Sequence, residues 1–188
     1  MKDLLLITPP FTQLNTPYPA TAYLKGFLNT KNISSNQIDL GIEVILEIFS
    51  KKGVTEIFNV KPENLSENAQ RIFALKEEYI KTIDEVIAFL QNKKPTLARQ
   101  ICSMNFLPEA SRFNQLDDME YAFGNMGLQD KAKHLATLYL EDLSDYIVEN
   151  IDENFGFSRY AERLGRSANS FDELYEKLQS DKTFVDNF

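Results

Sequence analysis

The side chains best suited to chemistry in this sequence are one histidine, one cysteine and a row of carboxylates. His134 is the only histidine and follows Asp130 by one helical turn. A metal site needs more ligands than this pair supplies, so we predict an exposed or half-buried histidine beside a helical carboxylate. Cys102 needs a nearby base to act as a nucleophile, and its apolar neighbours instead indicate a buried structural cysteine.

An acidic stripe lies on one predicted helix, where Glu141, Asp145 and Glu149 recur every four residues. Carboxylates near a helix C-terminus oppose the helix dipole, so the stripe requires compensating positive charge. We predict an ion-pair network, and the alternative is a carboxylate site for acid–base catalysis or a divalent metal, as in a small metal-dependent hydrolase. The candidate partners follow closely in the sequence and are Arg159, Arg163 and Arg166.

The composition is that of a globular protein, with 188 residues, 43% hydrophobic, 26% charged and a formal net charge of −8. The acidic balance argues against a nucleic-acid partner or an anionic membrane surface. No run is long and apolar enough to span a bilayer, and the aliphatic run near the N-terminus is too short for a signal peptide. The sequence therefore predicts a soluble, cytoplasmic protein without nucleic-acid or membrane partners.

The first sixty residues carry an αβ pattern. Leu4–Ile7 forms a continuous apolar run, which is typical of a strand buried on both faces. A helix is predicted from about Pro19 to Lys31, and Ile33–Ile38 is a weaker second strand. A further helix is predicted to begin at an Asp39 cap and to end at Gly53.

The loop after the first strand is stiff and uncharged. It contains four prolines in the eleven residues 9–19, and no charged residue occurs from Leu4 to Leu24. We interpret this loop as one that packs against protein or ligand.

Everything beyond Pro62 has helical periodicity. Apolar stripes predict helices over 66–92, 96–104, 109–123, 129–151, 158–164 and from the capping box Ser170–Glu173 to about 180. The 22 aromatic residues are expected in the core or at an interface. The apolar end, Thr183–Phe188, predicts either a piece of a longer protein or a terminus docked on the body.

These patterns predict an α+β, predominantly helical fold. A short N-terminal αβ portion, partly Rossmann-like, occupies residues 1–60, and a helical bundle or subdomain occupies residues 61–188.

The segment LLLITPPFTQLNTPYPATAYLKGFL resembles the opening of cobalamin-binding radical SAM proteins. The matching features are the aliphatic strand, the Pro9-Pro10 pair, the proline-containing loop and the helix that follows. Gln37–Leu40 resembles the Asp-containing end of the family's second strand. The resemblance covers about residues 1–50.

The resemblance implies the start of a doubly wound sheet whose first loop faces a corrin ring. It implies cofactor contacts from that loop, namely Pro9, Pro10, Phe11, Asn15, Pro17 and Tyr18. For the full-length protein it implies cobalamin, S-adenosylmethionine and an iron–sulfur cluster, none of which is assigned to this chain by itself.

Two motifs of the family are missing from this sequence: DxHxxG, which ligates cobalt, and CxxxCxxC, which holds the iron–sulfur cluster. The resemblance then implies an N-terminal region of a cobalamin-dependent radical SAM enzyme. Such a region is inactive alone, and its partner is the remainder of the same polypeptide, which carries the cobalamin and radical SAM domains. The alternative is a helical protein–protein interaction module without catalytic activity.

Overall fold

A computed structural model describes residues 4–9, 19–103, 105–118, 127–153, 155–157, 170–179, 182 and 184–188. It confirms the predicted α+β, predominantly helical fold, with two strands and eight α-helices in the described part of the chain. The chain forms two compact units, one of Met1–Leu46 with Gly156–Phe188 and one of Glu47–Phe155. These two units are defined by their compactness. The predicted domain boundary near residue 60 was placed where the sequence pattern changes, and it stays a prediction.

The first unit contains a βαβ arrangement. Strand β1 is Leu4–Thr8, helix α1 is Ala20–Thr30 and strand β2 is Ser35–Asp39. The strands pair in parallel, and Thr8 lies opposite Asp39 at the carboxyl end. Both predicted strands and the predicted helix are therefore confirmed. A parallel pair requires a crossover connection, and α1 supplies part of it.

The prediction that β1 is buried on both faces is wrong. Leu5 is 59% exposed and Ile7 47% exposed. A continuous aliphatic run is typical of a strand that helices cover on both faces. Here α1 covers the face that carries Gln37, and Leu5 and Ile7 lie on the opposite face. The apolar residues of α1 are open as well, because Tyr23 and Phe27 are exposed while Thr21 is the buried residue of the helix.

Helix α2, Leu40–Ile48, begins directly after β2. The Ile42 amide donates to the Asp39 carboxylate at 3.2 Å, so the predicted cap is confirmed. The predicted end at Gly53 is wrong, because Gly53 lies inside helix α3, Lys51–Asn59. Phe49 and Ser50 separate the two helices, and the Ser50 hydroxyl accepts from the Gly53 amide at 3.0 Å.

The second unit has a helical core. The stripe predicted over 66–92 forms two helices, α4 at Glu67–Ala74 and α5 at Lys76–Leu90, because the backbone leaves helical geometry at Leu75. The long helix α7, Leu128–Asn150, is confirmed. Its predicted inward residues are all buried, and they are Ala132, Leu135, Tyr139, Leu143, Tyr146 and Ile147. Phe58 packs with Tyr79 and Tyr146, which places these predicted core aromatics in the core.

Shorter elements complete this unit. Pro95–Leu97 is a 3₁₀ turn that leads into helix α6, Ala98–Ile101, within the predicted 96–104 segment. The helix predicted over 109–123 is 3₁₀ rather than α over Ser111–Asp118. Prolonged i→i+3 geometry is uncommon, and here its first amides are bound by side chains of other helices.

The first unit also holds helix α8, Phe171–Gln179, which begins at the predicted capping box. The Glu173 amide donates to the Ser170 hydroxyl at 3.2 Å. Val185 is buried within the short 3₁₀ turn Val185–Asn187. The helix predicted over 158–164 lies outside the described residues. None of the described helices combines the length and apolarity needed to cross a membrane.

Candidate functional site

The carboxyl end of β1 is the candidate site that the resemblance implies. Thr8 ends the strand, and Pro9 follows it as an exposed residue. The other predicted contacts lie outside the described residues, and they are Pro10, Phe11, Asn15, Pro17 and Tyr18. The structure therefore locates one of the six predicted contacts, at the strand end where open α/β sheets bind ligands.

A polar trio supports this strand end, and sequence analysis did not identify it. The hydroxyls of Thr8 and Thr21 lie 3.4 Å apart, and both residues are buried. The Gln37 side-chain amide donates to the Thr21 hydroxyl at 2.9 Å. The trio links both strands to α1 and contains no ionisable group. It can position the start of the loop or hydrogen-bond a ligand, but it cannot supply acid–base catalysis.

The sequence does contain one indication of this trio, because Thr8 stands between the aliphatic strand and the proline pair. A hydroxyl in that position must find a partner when it is buried, because an unsatisfied polar group costs free energy. The partner is thirteen residues away, so the pairing follows from the crossover rather than from local spacing.

The acidic stripe of α7 is neutralised by an arginine that was not predicted. Arg112 donates to both carboxylate oxygens of Asp145 at 2.7 Å, and its guanidinium lies 3.7 Å from Glu141. The bond to Asp145 raises the pKa of Arg112 above its usual range. An ion-pair network is therefore confirmed for these two carboxylates, with Arg112 as the partner. Arg159, Arg163 and Arg166 lie outside the described residues.

The third carboxylate of the stripe serves helix α4. Glu149 accepts from the Ser66 backbone amide and from the Ser66 hydroxyl, the latter at 2.7 Å. The same hydroxyl accepts from the Ala69 amide at 3.2 Å and so caps α4. Glu149 is thereby held at a structural contact between two helices.

Asp142 is the carboxylate whose role the sequence did not reveal. It is fully buried and accepts backbone amides from Ala110 at 3.0 Å and from Arg112 at 3.1 Å. Burial raises the pKa of Asp142 to about 6, and the two backbone hydrogen bonds oppose that rise. The same carboxylate adds to the rise that burial causes in the pKa of the Tyr79 phenol. Asp142 anchors the start of the Ser111–Asp118 turn to α7.

The histidine and the cysteine occupy ordinary helical positions. His134 is half-buried on α7, as predicted. Cys102 is half-buried rather than buried, because it sits just beyond the end of α6 and its thiol donates to the Leu128 carbonyl at 3.6 Å. Burial raises the pKa of this thiol, which disfavours the nucleophilic thiolate. Over the described ranges no three His, Cys, Asp or Glu side chains cluster as metal ligands would.

One open depression of about 640 Å³ lies in the second unit. Its lining residues are Pro62, Asn64, Leu65, Gln70 and Phe73. None of these is ionisable, so the depression offers a surface for apolar contact and a few hydrogen bonds but no catalytic group.

Comparison with protein-family models, with curated proteins and with solved structures found no match for this chain.

Proposed function

We propose that this chain provides the N-terminal, cofactor-related region of a cobalamin-dependent radical SAM enzyme. The observation that carries the proposal is the two-stranded parallel pair β1–β2, in which the uncharged end of β1 leads into the proline loop. Two parallel strands are too few for an independently stable sheet. A larger doubly wound sheet in the rest of the polypeptide would complete them.

The support comes from three levels. At the sequence level, residues 1–50 resemble the family's opening. At the element level, β1, α1 and β2 form a βαβ unit, and β2 ends in Asp39 as the resemblance expects. At the site level, Thr8 is held by Thr21 at the carboxyl end of β1, where a ligand of this fold class binds.

The first test is the reading frame of the source gene beyond codon 188. The proposal expects alternating strands and helices followed by a CxxxCxxC segment. A stop codon directly after Phe188 would overturn it, because the cofactor domains would then have no place in the polypeptide.

The second test measures hydroxocobalamin binding to the full natural chain by the change in corrin absorbance. Phe11→Ala and Tyr18→Ala are expected to weaken binding by about tenfold or more, because aromatic contacts contribute about 1–3 kcal/mol of binding free energy when they are buried. Phe27→Ala and Tyr23→Ala are the matched controls, since both are exposed aromatics on α1. Equal losses in the control pair, or no cobalamin binding by a folded full chain, would contradict the proposal.

The second candidate function is a helical protein–protein interaction module without catalytic activity. The observation that favours it is the exposed apolar stripe of α8, where Phe171 is 77% exposed and Leu178 is 74% exposed. Loss of a bound partner protein in Phe171→Ser, with retention in Phe27→Ser, would support this function. Binding of a corrin by the same chain would argue for the first.

A further inference from the structure

The sheet of the first unit has one open face. Side chains alternate along a strand, and directly opposite residues of paired strands point to the same side. Gln37 bonds to Thr21 of α1, so its face is the one that α1 covers. Leu5 and Ile7 point to the other face, together with Ile38, which lies opposite Ile7. Asn36, which lies opposite Leu5, is the polar residue of this face, so the face is uncharged and mainly apolar.

Helix α8 has an open apolar stripe of matching character. Phe171, Tyr175 and Leu178 follow one another at helical spacing and are 77%, 56% and 74% exposed. The Phe171 and Tyr175 rings stack with centroids 6.4 Å apart, so the stripe is one continuous surface. The opposite side of the helix is acidic and exposed, with Asp172, Glu173 and Glu176.

We propose that the α8 stripe of one copy packs on the open sheet face of a second copy, and that the exchange is reciprocal. The stripe spans roughly 10 Å, at 1.5 Å per helical residue. Leu5 and Ile7 span about 7 Å along β1, at 3.3 Å per residue. A helix laid on this face also gives the parallel pair the second covered side that such sheets need. The pairing goes beyond the proposed function, because further strands would add at the edges of the pair, whereas α8 covers its face and requires no cofactor.

The area is sufficient for a stable dimer. An aromatic side chain buries roughly 150–250 Å². With three side chains partly exposed on the helix and a similar area lost on the sheet, each helix–sheet contact removes roughly 700 Å² from water. Two reciprocal contacts then remove roughly 1,400 Å², which lies within the 1,200–2,000 Å² typical of specific interfaces. One contact alone would fall short, and for that reason we infer a closed dimer.

The salt dependence of binding distinguishes a second copy from a basic partner protein. Each copy carries a net charge of −8, so two copies repel, and salt screens that repulsion. Dimerisation through uncharged surfaces is therefore expected to strengthen by severalfold between 0.05 M and 0.5 M NaCl. A partner that recognised the acidic side of α8 would bind more weakly as salt rises.

Sedimentation equilibrium of the purified chain over a concentration series tests the proposal. We expect a monomer–dimer equilibrium in which Phe171→Ser with Leu178→Ser weakens dimerisation by about tenfold or more. Tyr23→Ser with Phe27→Ser is the matched control, because these exposed side chains lie on α1. All four positions are exposed, so the variants are expected to fold, as circular dichroism would show. A chain that is monomeric throughout, or a dimer that the α8 pair leaves unchanged, overturns the proposal.

Disulfide cross-linking shows whether the helix on the sheet face comes from a second copy or from the same chain. In a Cys102→Ser background, Leu178→Cys in one preparation is mixed with Ile7→Cys in another. A cross-linked heterodimer on oxidation supports the proposal. If the chain carrying both cysteines instead closes an internal disulfide at low concentration and the mixture does not cross-link, α8 covers the sheet of its own chain and the second copy is excluded.

Discussion

At the scale of single residues, Gly53 allows an unusually close approach between two helices. A Cβ built at this position would lie 2.2 Å from the Glu47 carbonyl oxygen and 2.5 Å from the Ile48 carbonyl oxygen. Both atoms are backbone, so they cannot move aside as a flexible side chain would. Glycine is needed at this position because the α2–α3 junction is tight, and not because a helix ends there.

We expect Gly53→Ala to lower the free energy of unfolding by about 1–3 kcal/mol, the usual cost of overpacking. Gly26→Ala is the control within the same chain, since no atom lies within 4 Å of a Cβ there. It is expected to raise the free energy of unfolding by up to about 1 kcal/mol through helix propensity. Urea unfolding measures both, and equal effects of the two substitutions would contradict this account.

Asp142 makes a defined contribution to the pH dependence of stability. Its pKa of about 6 lies above the value of 3.8 for an unperturbed aspartate, so the folded state binds more protons between pH 4 and pH 6. The free energy of unfolding therefore falls as the pH rises through this window. At 1.36 kcal/mol per pKa unit, the upper limit of the loss is about 3 kcal/mol.

Asp142→Asn removes this titration while keeping the shape of the side chain. We expect the unfolding free energy of the wild type minus that of the variant to fall, by at most about 3 kcal/mol, from pH 4 to pH 7, because the wild type alone loses this contribution; urea unfolding at each pH measures it. Asp130→Asn, an exposed change on the same helix, is the control variant. A profile of Asp142→Asn parallel to that of the wild type would show that Asp142 does not titrate in this range.

At the scale of elements, Ser66 joins the start of α4 to the end of α7. Its hydroxyl caps α4 through Ala69 and donates to Glu149. Ser66→Ala is expected to lower the free energy of unfolding by about 1–2 kcal/mol, as loss of a cap does. Ser103→Ala is the control, because its exposed hydroxyl donates to the Gln100 carbonyl only three residues away. Thermal unfolding distinguishes the two, and a Ser66 variant as stable as the control would contradict the prediction.

Elements with strong local signals were predictable from the sequence. The apolar stripe of α7, the Asp39 cap and the Ser170 capping box are each encoded within a few residues. The break at Leu75 and the α2–α3 junction at Ser50 were not predictable, because packing between helices overrides local propensity.

The candidate site was less predictable than the elements. Threonine and glutamine side chains from three elements meet at the end of β1, over sequence separations of 13 and 16 residues. Arg112 reaches Asp145 over 33 residues. Such pairs follow from the way in which elements cross, and single-sequence periodicity contains no register between distant segments.

At the scale of the whole molecule, the two units differ in how much of their apolar surface is buried. In the second unit Tyr79, Ile83 and Tyr139 are 0% exposed, whereas Leu5 and Ile7 of the first unit lie about half in solvent. We expect backbone amides of β1 to exchange hydrogen at least about tenfold faster than those of α5, because few buried contacts oppose local opening. Hydrogen-exchange mass spectrometry measures this, and equal protection would contradict it.

The order of the two units along the chain also has a consequence for synthesis on the ribosome. Glu47–Phe155 is one continuous stretch, whereas the first unit is built from Met1–Leu46 and Gly156–Phe188. The continuous unit has all its residues once about four-fifths of this chain has emerged, and domains fold as units during synthesis. Strand β1 is made before residues 156–188, which complete its unit, and it is exposed until they emerge. During that interval it is the segment of the nascent chain that a chaperone with an apolar binding groove would hold.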